Sequence, residues 1–126
     1  MPGHATFYWN ELMTRDVEAA KRFFSETVGW TFDAFPIPEG TYWVAKLGDK
    51  AVGGVMEMPR TMPNDVPRHW MSYLEVDDID ARLKKAEAAG GKVLMQPFDV
   101  KDVGRIAILK DPAGAVVGWI TPVKSG

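Results

Sequence analysis

The sequence contains an internal repeat. The stretch from Trp9 to Trp30 recurs without a gap, sixty-two positions later, as the stretch from Met71 to Lys92. The matched positions include Leu12 and Leu74, Asp16 and Asp78, Val17 and Ile79, and Gly29 and Gly91. Apolar, helix-capping and helix-ending positions therefore coincide in the two stretches. This pattern predicts one supersecondary unit that is built twice.

The first copy predicts a strand, a helix and three further strands. Asp16 offers a carboxylate that caps the helix, and Gly29 ends it. The predicted strands cover residues 7–14, 30–36, 41–47 and 51–57. Val17, Ala20, Phe24 and Val28 recur at helical spacing and form the apolar stripe of this helix.

The second copy predicts the same order of elements. Asp78 caps a helix whose buried stripe consists of Ile79, Leu83 and Ala86. The two glycines at positions 90 and 91 end this helix. The predicted strands cover residues 68–76, 92–96, 104–109 and 115–121, with a polar loop at 99–102. We therefore predict a single domain, 1–126, with module 1 at about 6–58, a proline-bearing linker at about 59–67 and module 2 at about 68–122.

Composition narrows the class of protein. With 126 residues the chain is long enough for one domain with a core, and a net charge of −2 with scattered basic residues indicates neither a nucleic-acid surface nor an anionic membrane as partner. The chain has no cysteine, which excludes disulfides and thiolate ligands. No apolar run reaches the ~20 residues of a membrane span, and the N-terminus lacks the pattern of a signal peptide. We expect a cytoplasmic protein.

The repeat also predicts the architecture. One helix covers only one face of a sheet. The other face of each module must therefore be covered by the other module or remain open as a groove. The fold class that we predict is α+β, with two tandem βαβββ modules that form a curved mixed sheet around a central cleft. Strand alternation, if Leu12 and Leu74 face the helices, turns Trp9 and Glu11 toward this cleft.

The residues on the cleft side are the candidate ligand-binding residues. They are Trp9, Glu11, Gly54, His69, Met71, Tyr73 and Gly118. Aromatic rings there can stack on a planar or apolar ligand, and a carboxylate and an imidazole can fix its orientation. The same side chains can instead fill the cleft and leave no pocket. The two strand glycines favour an open site, because glycine in a strand often marks close approach by a ligand or another backbone.

Several motifs, in order and duplicated, resemble the vicinal oxygen chelate superfamily of glyoxalase I, bleomycin-resistance proteins and extradiol dioxygenases. They are the pattern L-x-x-x-D-x-x-x-A-x-x-F-F from Leu12 to Phe24, V-D-D-I-D-A from Val76 to Ala81 followed by A-G-G, and the final D-P-A-G-A-V-V-G-W. The resemblance covers nearly the whole chain. It implies paired βαβββ modules.

Enzymes of this superfamily usually hold a divalent metal through ligands on the first and last strands of each module. The resemblance places Trp9, Gly54, Met71 and Gly118 at these four positions. None of them offers a carboxylate, imidazole or amide oxygen, whereas an open catalytic site needs about three protein ligands. The resemblance is therefore to a branch that lacks the metal ligands, and we expect no metal and no other cofactor. A displaced site at Glu11 and His69 is disfavoured because it supplies two ligands at most.

Three functions remain open. The first, which the resemblance favours, is a protein that binds a small apolar or planar molecule without a metal. The second is a metal-dependent lyase, isomerase or dioxygenase of the same superfamily, for which Glu11 and His69 are the candidate catalytic residues. The third is a stress or interaction protein with a vestigial cleft. The expected partners are a small-molecule ligand and, because relatives commonly exchange units between chains, a second copy in a homodimer.

Overall fold

The computed structural model describes residues 3–38, 40–100 and 103–123. The elements, in chain order, are β1 (Thr6–Thr14), α1 (Val17–Val28), β2 (Thr31–Ile37), β3 (Gly40–Leu47), β4 (Lys50–Glu57), β5 (His69–Glu75), α2 (Ile79–Ala88), β6 (Lys92–Val100), β7 (Gly104–Lys110) and β8 (Val116–Pro122). The order βαβββ occurs twice, as the repeat predicts. The α+β class and the βαβββ units are therefore confirmed.

Packing of the backbone divides the chain into two compact units. One is Trp9–Met71, called the first unit below, and the other combines Met1–Tyr8 with Ser72–Gly126, called the second unit. The predicted module boundaries and the central cleft stay predictions.

The sheets of the two units have the same topology. In the first unit the strand order is β2-β3-β4-β1, with β1 parallel to β4 and the other neighbours antiparallel. In the second unit the order is β5-β8-β7-β6, with β5 parallel to β8 and the other neighbours antiparallel. The first strand of each unit thus lies beside the last strand of the same unit.

Both helices begin where the sequence predicts. Asp16 caps α1 by accepting a hydrogen bond from the backbone N–H of Ala19 at 3.0 Å, and Asp78 caps α2 by accepting one from Ala81 at 3.2 Å. Gly29 follows α1 in the left-handed conformation, φ 81°, which a residue with a side chain adopts less readily. The two caps are equivalent in the repeat and in the structure.

The helices differ in how well they are covered. In α2, Ile79 and Leu83 are buried, with Ala86 partly buried beside them, which confirms that stripe. In α1 no residue is buried. Phe24 stacks on Trp30 with ring centroids 5.0 Å apart, but this contact does not bury Phe24 or any other residue of α1.

The predicted polar loop at 99–102 is also wrong in part. Strand β6 continues to Val100, and Asp99 pairs with Arg105 of β7. The pairing of β6 with β7 shifts register twice, between Val93 and Met95 and between Met95 and Phe98, and the second shift spans Pro97. Proline is tolerated here because β6 is an edge strand of its unit and its outer side needs no N–H donor. Residues 101 and 102 lie outside the described residues.

Within the described residues, no helix has both the length and the apolar character that crossing a membrane requires.

Candidate functional site

The sheet of the first unit has one face covered by α1 and one face that this helix leaves free. Lys21 of α1 lies over the ring of Trp43, 3.2 Å from its centroid, which fixes the covered face. Residues that pair across neighbouring strands share a face of the sheet, so Glu11 and its partner Gly54 lie on the same face. Side chains alternate along a strand, so Tyr42, the neighbour of Trp43 in β3, also lies on this face, which is opposite the one that α1 covers. We call this face, with Trp9, Glu11, Tyr42 and Gly54, the helix-free face of the first unit.

A chain of hydrogen bonds joins three of these side chains. Trp9 donates from Nε1 to the Tyr42 hydroxyl oxygen at 2.8 Å. The Tyr42 hydroxyl is also hydrogen-bonded to Glu11. Because indole N–H only donates and a carboxylate only accepts, the phenol donates its own hydrogen to Glu11. The direction of the chain is therefore from Trp9 through Tyr42 to the carboxylate.

Burial and charge keep the phenol of Tyr42 protonated. Burial is the largest cause that raises the pKa of Tyr42 far above its ordinary value, and the negative charge and hydrogen bond of Glu11 raise it further. The hydrogen bond from Trp9 lowers this pKa but does not offset the other causes. At neutral pH Tyr42 is therefore a fixed hydrogen-bond donor beside a carboxylate.

Tyr42 also explains one of the two predicted strand glycines. A Cβ atom at Gly54 would overlap the hydroxyl of Tyr42 and lie 2.9 Å from its Cε2 atom. The close approach expected at this glycine is thus made by a side chain of the protein. Sequence reasoning missed Tyr42. The available signal was a strand glycine that calls for a large neighbour on an adjacent strand.

The second unit repeats the arrangement with one change. Tyr73 pairs with Gly118 in register, as Glu11 pairs with Gly54 in the first unit. A Cβ atom at Gly118 would overlap the ring of Tyr73. Each last-strand glycine therefore lies under a tyrosine ring of its own unit, but only the first unit places a carboxylate at this position of the first strand.

The remaining predicted residues are less well suited to bind a ligand. Met71 is buried. His69 is half-buried, and its Nδ1 lies 2.8 Å from the carbonyl oxygen of Pro67. Since a carbonyl oxygen can only accept, Nδ1 carries the hydrogen and Nε2 is the nitrogen that remains for other contacts.

The four positions at which the superfamily places metal ligands do not fit a divalent ion. Trp9 and Met71 present no oxygen or imidazole donor, and tyrosine rings occupy the space above Gly54 and Gly118. Across the part of the chain that the structure describes, no three His, Cys, Asp or Glu side chains come together as a metal-binding group.

Comparisons with known proteins agree with this fold. The family model of the Glyoxalase/Bleomycin resistance protein/Dioxygenase superfamily matches residues 3–118. The chain belongs to this superfamily. Among solved structures, methylmalonyl-CoA epimerase from Mycobacterium tuberculosis has a TM-score of 0.70 at 11% identity, with 98% of this chain and 93% of that chain covered. A hypothetical protein, BH1468 from Bacillus halodurans, has a TM-score of 0.73 at 10% identity, with 96% of each chain covered. At these identities the likeness shows the fold alone.

Two relatives are more similar in sequence. The chain is 47% identical over 118 residues to "Putative glyoxylase CFP32" of Mycobacterium bovis, covering 93% of this chain and 44% of that protein. It is 36% identical over 131 residues to "Anthracycline biosynthesis protein DnrV" of Streptomyces peucetius, covering 94% of this chain and 48% of that protein. The chain thus spans somewhat less than half the length of these relatives.

Proposed function

We propose that the protein binds a small planar or apolar molecule at the helix-free face of the first unit, without a metal. Trp9 supplies the ring on which the ligand stacks, Glu11 supplies the acceptor that orients it, and Tyr42 holds Glu11 in place. The observation that carries this proposal is the carboxylate of Glu11, which is only 8% exposed and hydrogen-bonded to a buried phenol.

A buried carboxylate is a poor choice for stability alone. Removing an ionised group from water carries a penalty of several kcal/mol, and a hydrogen-bonded partner offsets only part of it. At the equivalent position of the second unit Tyr73 fills the space without such a penalty. A buried carboxylate beside a phenol with a raised pKa is the kind of arrangement that marks functional sites.

The relatives are in keeping with a small-molecule ligand. One is named for glyoxylase activity and another for anthracycline biosynthesis. A planar aromatic ligand suits the second name. This chain covers less than half of each relative, so the two names support the kind of ligand and not a particular reaction.

Binding to a series of substituted anthraquinones, measured by equilibrium dialysis, tests the proposal. The series contains one neutral, one cationic and one anionic member. We expect the cationic and neutral members to bind and the anionic member to bind least, because the negative charge of the Glu11 carboxylate attracts a cation and repels an anion. Glu11→Gln should weaken the binding of the cationic member by about tenfold, which equals ~1.4 kcal/mol of binding free energy.

Trp9→Phe should weaken the binding of all three anthraquinones. Trp119→Phe is the matched control, because Trp119 lies on the face that α2 covers in the second unit, and it should leave binding unchanged. Failure of every anthraquinone to bind at 1 mM would contradict the proposal. So would wild-type affinity in both Glu11→Gln and Trp9→Phe.

A second candidate, an isomerase or lyase of the superfamily, uses the same carboxylate as a general base. The hydrogen bond from Tyr42 favours it, because this bond fixes the orientation of the Glu11 carboxylate that would abstract the proton. Its test is solvent deuterium incorporation next to the carbonyl of hydroxy-aldehydes and ketones, followed by NMR. Exchange that Glu11→Gln abolishes supports it, and no exchange above background removes it.

A further inference from the structure

The proline-bearing segment that follows β4 folds into an ordered loop of two consecutive turns. In the first turn the backbone N–H of Met62 donates to the carbonyl oxygen of Pro59 at 3.0 Å. In the second the N–H of Val66 donates to the carbonyl oxygen of Pro63 at 3.1 Å. We call residues 59–66 the linker loop. Loops that a rigid scaffold holds in place often carry binding residues.

A guanidinium group holds the linker loop at the end of β1. Arg15 directly follows this strand, and it donates from Nη1 to the carbonyl oxygen of Val66 at 2.8 Å and from Nη2 to that of Pro63 at 3.0 Å. Both carbonyl groups belong to the second turn of the loop. Because the guanidinium is planar and rigid, the two bonds fix one orientation of the loop relative to β1.

Arg15 and the linker loop border a depression of about 320 Å³. This volume lies at the lower end of the roughly 300–1,000 Å³ that is usual for small-molecule sites. The residues that line it all belong to the first unit. We call it the linker depression, and its lining consists of Arg15, Glu57, Met58, Pro59, Arg60, Met62 and Asn64.

One part of the lining is apolar. Met58 is buried, and Pro59 and Met62 are half-buried. Methionine side chains are flexible and polarisable, so they adapt to the shape of an apolar group that they contact. The linker depression therefore offers apolar surface to an aliphatic chain.

The other part of the lining carries two opposite charges that do not neutralise each other. Glu57 and Arg60 are both exposed, and neither forms an ion pair or a side-chain hydrogen bond with another residue that the structure describes. Asn64 is exposed beside them and adds an amide that can both donate and accept. A guanidinium binds a carboxylate through two parallel hydrogen bonds, and a carboxylate accepts from an ammonium group. The depression thus offers one site for each charge.

We propose that the linker depression binds a free α-amino acid with an aliphatic side chain. Arg60 binds its carboxylate, Glu57 binds its ammonium group, and the two methionines contact its side chain. Arg15 acts as a positioning residue, since it holds the loop that carries Arg60. A zwitterion fits this lining better than a simple anion does, because Glu57 repels an anion and attracts the ammonium group. The site shares no residue with the one proposed at Glu11 and Trp9.

L-Leucine and two analogues that each lack one of its charges test the proposal. Isocaproate keeps the carboxylate and lacks the ammonium group, whereas isoamylamine keeps the ammonium group and lacks the carboxylate. NMR titrations of the nitrogen-15-labelled chain measure the affinity of all three and locate the shifted amides. We expect leucine to bind with a Kd of about 1 mM or less, and each analogue to bind about tenfold more weakly. The shifted amides should lie at residues 57–64.

Variants assign each charge of the ligand to one residue. Arg60→Gln should weaken leucine binding by about tenfold without weakening the binding of isoamylamine, which has no carboxylate. Glu57→Gln should weaken leucine binding to a similar extent without weakening the binding of isocaproate. Met62→Ser should weaken the binding of all three compounds. Arg22→Gln and Glu26→Gln, exposed charge changes on α1 outside the linker depression, are the matched controls and should have no effect.

Three outcomes would overturn the proposal. The first is the absence of saturable shifts with leucine up to about 10 mM, well above the expected Kd. The second is a set of shifted amides that excludes residues 57–64. The third is an Arg60→Gln variant that binds leucine like the wild type, or that loses leucine and isoamylamine equally while circular dichroism melts show it to be folded. Anthraquinone binding tests the other site with separate compounds and variants, so either proposal can fail alone.

Discussion

The hydroxyl of Tyr42 lies in the space that a side chain at position 54 would occupy. Gly54 is thus a glycine because a phenol from the neighbouring strand lies against it, and this phenol in turn holds Glu11. The relationship connects backbone packing with the polar centre of the first unit. A substitution at this glycine should therefore change the surroundings of the carboxylate.

Gly54→Ala should destabilise the protein by roughly 1–3 kcal/mol, the usual range for overpacking a close contact. The added methyl group displaces Tyr42 and breaks its hydrogen bond with Trp9. Urea unfolding measures the change in free energy, and the double variant with Tyr42→Ala provides the control. Once the ring is gone the alanine has room, so the cost of Gly54→Ala should largely disappear. Equal costs in both backgrounds would show that Tyr42 does not lie over Gly54.

Tyr42→Phe should lower the free energy of unfolding by about 1–3 kcal/mol at pH 7, since it leaves the Trp9 N–H and the Glu11 carboxylate without the hydroxyl. The pKa of Tyr42 is raised in the folded protein above its ordinary value of 10.0. The stabilisation by its neutral form is therefore complete below pH 10 and is lost as the pH rises further, because the unfolded chain then releases the proton.

The pH dependence of this variant is thus diagnostic. The difference in unfolding free energy between wild type and Tyr42→Phe should be constant from pH 7 to 9 and should shrink above about pH 10. Tyr8→Phe, at a half-exposed ring, is the matched control and should show neither effect. A difference that stays constant up to pH 11 would mean that the phenol of Tyr42 is not held neutral in the folded protein.

Asp16→Ala and Asp78→Ala should each lower stability by ~1 kcal/mol, because each aspartate caps the backbone N–H three residues later. The two sites share no hydrogen-bond partner, so the effects should add within about 0.5 kcal/mol. Thermal unfolding of the two single variants and the double variant tests this. Asp→Asn changes at both positions keep a side-chain oxygen that accepts the hydrogen bond, so they should retain most of the stability that the alanine variants lose. Strongly unequal costs would indicate that only one cap contributes.

The repeat explains why so much of the fold was predictable. Matched positions such as Asp16 and Asp78 occur twice at one offset, so each supports the assignment of the other. The burial of α1 was not predictable in the same way. An amphipathic pattern tells which side of a helix faces the sheet but not how closely the sheet approaches it.

The site was only half predictable, for a physical reason. Trp9 and Glu11 follow from alternation along a single strand. Tyr42 belongs to the site only through the register of β3 against β4, where a shift between Ala45 and Lys46 changes which residues share a face. The corresponding position in the second copy, Gly104, carries no ring, so the repeat did not indicate the role of Tyr42.

The purified protein should contain no stoichiometric divalent metal. The donors nearest to the expected ligand positions already have other partners, since Glu11 accepts from Tyr42 and His69 contacts the carbonyl of Pro67 through Nδ1. Two ligands of this kind cannot offset dehydration of the ion as a preformed cage of three or four does. Elemental analysis after dialysis, together with thermal melts with and without zinc, nickel and manganese, measures this. We expect less than about a tenth of an equivalent of metal and an unchanged Tm. Metal near one equivalent, or a rise in Tm that His69→Ala abolishes, would instead assign Glu11 and His69 as ligands of a displaced site and favour the metal-dependent enzyme.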